Sequence, residues 1–209
     1  MNRGAIRTRA RIFLDEPAEN RWTDVNLNSL IEEAKNEVAA IFLSLDESYY
    51  LKSDHFDLEA GKELYDLPAD FIRLKEIHDE DEEVPVKVSA SKRVEYLSRG
   101  ELVAFYFEKS QIGFLDIPAQ AEVINYKYVY SPAELSDDDS IPDVPVYLGH
   151  DLIAVLTAIQ ALDLDEDEDN PLIRKAQRLE DRIRTTYYKR TTHLPQYGES
   201  DEELDPIDD

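Results

Sequence analysis

Apolar residues near the start of the chain recur three and four positions apart, the spacing of one face of an α-helix. We expect a first helix over residues 3–14, ended by Pro17. A second helix is predicted over residues 24–45, where Thr23 stands at the N-cap position. Its apolar positions are Val25, Leu27, Leu30, Ile31, Ala34, Val38, Ile41, Phe42 and Leu45.

Residues 49–131 have a different pattern, in which β-branched and aromatic runs alternate with turn residues, as is typical of strands. The pattern predicts strands over residues 63–67, 71–78, 84–89, 102–109, 112–116 and 122–130, and a short helix over 91–98. We expect Ser110 and Gln111 to form a hairpin turn, with Gly113 as a candidate β-bulge.

Two of these strands carry more information than the others. In strand 122–130, one face consists of Ile124, Tyr126, Tyr128 and Tyr130. Residues 102–107 are apolar on both faces, so both faces must be covered. A helix of the same chain or a neighbouring subunit could supply that cover, and the sequence leaves both alternatives open.

Helical spacing returns after a linker rich in proline and aspartate, residues 131–142. It predicts a third helix over residues 144–163 and, after an acidic loop, a fourth that begins at Pro171 with Asn170 as its cap. The inner face of the fourth helix consists of Leu172, Ala176, Leu179, Ile183 and Tyr187.

These elements predict an α+β protein, an antiparallel helical bundle of about four helices with a β-rich insertion between helices 2 and 3 and an extended C-terminal tail. The expected regions are the N-terminal helices (1–48), the insertion lobe (49–131), the C-terminal helices (132–190) and an acidic tail (191–209).

The charge of the chain changes this picture most. Aspartate and glutamate number 47 against 23 lysines and arginines, a net charge of −24, which opposes binding to nucleic acid in bulk. Either adaptation to high salt or the lining of a passage through which DNA slides would explain it. The charge is also segregated: residues 1–13 are basic, 163–169 almost all acidic, 171–193 mostly basic, and 199–209 hold seven acids and no base. Such blocks favour contacts with neighbouring subunits or a partner.

The residues that carry enzyme chemistry are sparse. The chain has no cysteine and six glycines, and its four histidines lack the spacing of a metal pair. His150 is interpreted as a surface or partly buried polar residue. Alternating aspartates from Asp163 to Asp169 resemble the start of an EF-hand loop, but Glu168 and Arg174 stand where glycine and glutamate are required. We therefore expect no catalytic residue, cofactor or metal. No apolar run approaches the ~20 residues of a membrane span, and no secretory signal is expected.

Four phrases of the sequence occur in an order that resembles a known family. They are LDEPAENRWTDVNLNSLIEEAKNEVA (14–39), YDLPADFIRLKEI (65–77), the passage from YKYVYSPAEL to AIQAL (126–162), and the helix from Ala176 to Ile183. Together they resemble the head–tail adaptor, or connector, proteins of tailed bacteriophages and related archaeal viruses. The resemblance covers roughly residues 5–190.

The resemblance implies a structural virion protein of the neck and not an enzyme. Its copies would form a ring, commonly a dodecamer, that joins the portal to the tail or a neck protein, while DNA passes through without specific binding. The C-terminal extension would reach the portal, so the expected docking residues are Leu194, Pro195, Tyr197, Leu204 and Ile207. From the charge blocks and the two-sided strand, the expected subunit interface contains Arg3, Arg7, Arg11, Phe105, Phe107, Arg178 and Arg182.

Two alternatives stay open. One is another neck or tail-completion subunit. The other is an acidic partner-binding module, such as a DNA mimic, which would act on its own and not as part of a ring.

Overall fold

The computed structural model describes residues 1–16, 19, 21–79, 85–89, 104–115, 122–145, 148–163 and 170–192. In chain order the helices are α1 (Arg3–Phe13), α2 (Asp24–Leu45), α3 (Gly149–Leu162) and α4 (Pro171–Thr192), with a short 3-10 helix at Glu47–Tyr50. The strands are β1 (Leu51–Leu58), β2 (Leu64–Asp66), β3 (Phe71–His78), β4 (Val86–Lys87), β5 (Ala104–Glu108), β6 (Gln111–Phe114) and β7 (Glu122–Tyr130). The predicted helix 91–98 and the tail from residue 193 lie outside the described residues.

Helices α1, α2 and α4 begin where a short polar side chain satisfies a free backbone N–H group. Thr23 Oγ1 accepts a hydrogen bond from the backbone N–H of Asn26 at 3.2 Å, which starts α2 at the predicted residue. Asn170 Oδ1 accepts from the N–H of Leu172 at 2.9 Å, so the predicted start of α4 is also confirmed.

Helix α3 lies at the centre of the helical part. It has buried residues around most of its circumference, because small side chains such as Ala154, Ala158 and Ala161 alternate with larger ones. Helices α1, α2 and α4 all pack against it.

The α+β class is confirmed, but the predicted antiparallel bundle with a single β-rich insertion is wrong. The other helices are arranged around α3, and the strands in the middle of the chain form two separate sheets. The periodicity of 144–163 indicated only one apolar face, which is why the central position of α3 was missed.

The first sheet has the order β1-β7-β3 and is antiparallel. The second has the order β2-β6-β5-β4, in which only β4 and β5 run parallel. Strands β3 and β7 occupy the predicted residues, whereas β1 was not predicted, because only Phe56 and Leu58 of its eight residues are buried.

The β5–β6 hairpin differs from its prediction in two details. Its turn is at Lys109 and Ser110, with Lys109 in the left-handed region at a φ of 55°. The predicted bulge at Gly113 is wrong, because the register continues through it and the irregularities of register lie in β3. Gly113 instead makes room for an aromatic ring: a Cβ there would lie 2.3 Å from Cζ of Tyr106.

The two faces of β5 are covered within the chain. Phe105 packs between the two sheets, in a core that includes Phe114, Ile124 and Tyr126. On the other face Tyr106 is 1% exposed, and its hydroxyl donates a hydrogen bond to Glu63 at 2.7 Å. The first sheet thus covers the Phe105 face of β5. The sequence had suggested a helix or a neighbouring subunit for this role.

Candidate interaction surfaces

The arginines of α1 fasten this helix to the linker and to the start of α2. Arg7 makes two parallel contacts with the carboxylate of Asp138, at 2.6 and 2.8 Å, and a third with Asp24 at 3.1 Å. Arg3 reaches Asp138 at 3.3 Å, and Arg11 reaches Asp24 at 2.7 Å. The hydrogen bond from Arg7 lowers the pKa of Asp138, and that same bond raises the pKa of Arg7.

These three arginines were predicted to meet acidic residues at a subunit interface. Their side chains are only 8–14% exposed, and the acids that they contact belong to the same chain. The bidentate pair therefore orders the linker before any partner is present.

The predicted arginines of α4 are in a different situation. Arg178 and Arg182 are both exposed, and Arg178 Nε donates to the carbonyl oxygen of Arg174 at 3.1 Å. Because both side chains are exposed, they are accessible to a partner.

Phe107, a predicted interface residue, lines an open groove along β3. The groove consists of two adjoining cavities of about 750 and 640 Å³, which share Leu74 and Lys87. We call it the β3 groove; its apolar lining is Leu67, Pro68, Phe71, Ile72, Leu74, Ile77, Pro85, Phe105 and Phe107. Within this lining Ile72 is 49% exposed, whereas Phe105 is only 3% exposed and belongs to the hydrophobic core below the groove.

The rim of the β3 groove is positively charged in a chain of net charge −24. Arg73 and Lys75 already form ion pairs with Glu47. Lys87 lies 5.1 Å from the centre of the Phe107 ring, and neither it nor Lys109 has an ion-pair partner among the described residues. The positive charge available to a partner is thus on these two lysines.

The acid of the groove is already neutralised. Glu76 lines the second cavity and accepts a hydrogen bond from Lys127 at 2.6 Å. This hydrogen bond is the main reason why the pKa of Glu76 is lowered, so the carboxylate stays charged and paired with Lys127 at neutral pH.

The opposite edge of the same sheet is acidic. Strand β1 and the turn after it carry Asp54, Asp57 and Glu59, whose side chains are 48, 75 and 68% exposed. Since the sheet order is β1-β7-β3, this β1 edge and the β3 groove lie on opposite sides of the sheet.

A row of tyrosines on β7 joins the sheet to nearby carboxylates. The hydroxyls of Tyr126 and Tyr128 donate to Asp54 at 3.3 Å and to Asp70 at 3.0 Å. Burial, with the hydrogen bond to Asp70, raises the pKa of Tyr128 to about 12, so this hydroxyl stays protonated at neutral pH. Lys52 also pairs with Asp70 at 2.5 Å, so this cluster connects β1, β7 and the start of β3.

His150 is fully buried at the start of α3, so its interpretation as a surface or partly buried residue is wrong. Its Nε2 lies 3.3 Å from the carbonyl oxygen of Pro142, and its Nδ1 contacts the amino group of Met1. Burial, followed by the positive charge of that amino group, lowers the pKa of His150. The neutral ring, with a proton on Nε2, suits both contacts.

Within the described ranges, no cluster of three or more histidine, cysteine, aspartate or glutamate residues has the arrangement of a metal site. The EF-hand-like run lies outside these ranges except for Asp163. Among the described residues, none of the helices has the length and hydrophobicity that a transmembrane segment requires. In the part of the chain that the structure describes, the features suited to binding a partner are the β3 groove, the β1 edge and the exposed arginines of α4.

A family model described as SU10 adaptor protein matches residues 1–199. No curated protein matches the chain.

Proposed function

The chain belongs to the SU10 adaptor protein family, and we propose on that premise that it forms a ring joining the portal of a virion to its tail. Membership indicates a structural adaptor of the phage virion that interacts with other virion proteins, in a family that is not known for enzymes. The match over residues 1–199 is the observation that carries the proposal. The ring, its dodecameric form and its position at the neck are the proposed details.

The charge distribution supports a ring of identical copies. Contacts in a ring are head-to-tail, so each copy needs two different and complementary surfaces. The described part of the chain offers positive surfaces in the β3 groove and at Arg178 and Arg182 of α4. It offers a negative surface on the β1 edge.

The net charge of −24 agrees with a channel through which DNA passes. A negative wall repels phosphates and gives DNA no counterion-releasing contacts, so the DNA slides without sticking. This function involves no chemical reaction, because the ring acts as a rigid, sealed connection between the portal and the tail.

We propose that the C-terminal tail docks on the portal. Its apolar residues Leu194, Pro195, Tyr197, Leu204 and Ile207 would anchor it among seven acidic side chains in residues 199–209. Such a segment requires a basic groove on the portal, whose charge would guide the encounter.

The test is the mass of the purified protein, alone and mixed with the portal of the same virus, at low and high salt. The proposal predicts a small species alone and a ring-sized complex on the portal. A stable monomer or dimer that ignores the portal would refute it and favour an acidic partner-binding module.

A further inference from the structure

We propose that the β3 groove of one copy receives the β1 edge of the next copy, and that this contact closes the ring. The inference rests on the proposed ring and names the two surfaces that build it. The partner is a second copy of this chain. The exposed carboxylates on its β1 edge bind at the positively charged rim of the apolar groove.

The topology of the sheet supplies the geometry. Strands β1 and β3 both pair antiparallel with β7, so they run parallel to each other at the two outer edges of one sheet. A rotation about an axis near the strand direction therefore brings β1 of one copy beside β3 of another in the same orientation. Repetition of that rotation gives a head-to-tail contact, which closes into a ring.

The charges of the two edges are complementary. Lys87 and Lys109, both exposed, have no ion-pair partner among the described residues and flank the groove. On the opposite edge Asp57 is 75% exposed, and its one ion-pair contact within the described ranges is with His55 at 3.7 Å. Glu59 is 68% exposed and pairs with Lys62 at 3.2 Å, so the negative charge available to a partner is mainly that of Asp57. Rim charges of this kind direct association and fix the register, while the apolar surface beneath supplies the stabilising burial.

The apolar lining gives the contact its area. Ile72 is 49% exposed, and Leu74, Phe71 and Phe107 are half-buried, so each copy leaves a strip of apolar surface in contact with water. Exposed apolar surface of this kind is typical of a site that a partner covers.

Irregularities in β3 decide the form of the contact. Two register shifts interrupt its pairing with β7, at Phe71/Arg73 and at Leu74/Glu76. Bulges and lysines on an edge strand hinder the addition of another strand. The neighbour therefore binds through side chains in the groove and does not extend the hydrogen-bonded ladder.

The test is a charge exchange in the full-length protein, assembled on its portal. Lys87→Glu with Lys109→Glu reverses the groove, and Asp57→Lys with Glu59→Lys reverses the edge. Asp54 is left unchanged because it accepts a hydrogen bond from the buried Tyr126. Each pair alone should lower the yield of ring-sized complex at least about tenfold, because like charges then face each other.

The combination of all four substitutions should restore the ring to within about threefold of the unmodified protein, since the charges again attract. The matched control is Arg21→Glu with Ser29→Glu and Ala40→Glu, which lowers the net charge by as much as the groove pair does, at three exposed positions outside the groove, the edge and α4. It should leave the yield unchanged. Thermal melting of each variant checks that the subunit still folds.

Three outcomes would overturn the inference. If each reversed pair assembled like the unmodified protein, the ring would stand but would use other surfaces. If each pair blocked assembly and the combination did not restore it, the groove would bind the tail or the portal and not the β1 edge. If the unmodified protein never formed a ring-sized complex with its portal, the proposed function itself would fail.

Discussion

The buried lysine of α2 gives the sharpest test of how the linker is held. Lys35 is fully buried, its ammonium contacts Glu32, and it donates to the carbonyl oxygen of Ala133 at 2.7 Å. Glu32 in turn accepts a hydrogen bond from the backbone N–H of Leu135 at 3.2 Å. The pair thus binds the start of the linker to α2.

We predict that Lys35→Met destabilises the protein by about 2–3 kcal/mol. Removal of one partner of a buried ion pair typically costs about 3–5 kcal/mol, because the other charge is left unpaired. The Glu32 side chain is 27% exposed, so water can partly solvate its carboxylate and the expected cost falls below that range. The unsatisfied carbonyl of Ala133 adds to the loss.

The assay is urea unfolding at neutral pH of the two single variants and their combination. In the background of Glu32→Gln, which keeps an acceptor for Leu135, Lys35→Met should cost at least about 1 kcal/mol less than it does alone. The control is Lys52→Met, which removes the more exposed pair with Asp70 and should cost less than about 1 kcal/mol. Equal stability of Lys35→Met and the unmodified protein would refute the assignment of the pair.

Three further predictions concern packing, pH and salt. Gly113→Ala should destabilise the protein by about 2 kcal/mol or more, because the new Cβ would lie 2.3 Å from the Tyr106 ring. In the control Gly61→Ala the new Cβ meets no atom within 4 Å, so only the strain of the positive φ should reduce stability. Denaturant unfolding of the two variants measures the difference. His150 has a folded-state pKa below its ordinary value, so the unfolded chain takes up the proton first and stability should fall as the pH drops below about 6.5. A His150→Gln variant should lack that part of the slope, and an equal slope between about pH 7 and 5 would contradict the reasoning. Salt raised from about 0.1 to about 1 M should increase the melting temperature of a chain of net charge −24, and indifference to salt would exclude both self-repulsion and a high-salt adaptation.

Much of the fold could be predicted from local signals. Helix α2 follows its apolar period and begins at the predicted cap, and β3 and β7 occupy the predicted residues. Strand β1 escaped prediction because an edge strand that buries two of eight residues has no alternation to detect. The arrangement of the helices escaped it too, because the alanines that let α3 sit at the centre carry no periodic signal.

The surfaces were less predictable than the fold. The sequence shows basic and acidic blocks, but not that Arg7 of the first basic block pairs with Asp138 of the linker in the same chain. The β3 groove combines residues from β3 of the first sheet with residues from β4 and β5 of the second, which only the packing of the two sheets brings together. Phe107 was found because its strand is apolar on both faces, a signal that Lys87 and Lys109 do not share.

The central claim is that this chain forms the ring between portal and tail, and an electron cryomicroscopy reconstruction of the virion neck tests it most directly. We expect density for the chain to repeat around the axis directly below the portal, with each β3 groove against the β1 edge of the next copy. Density for the chain at another site of the virion, or its absence from the neck, would contradict the account.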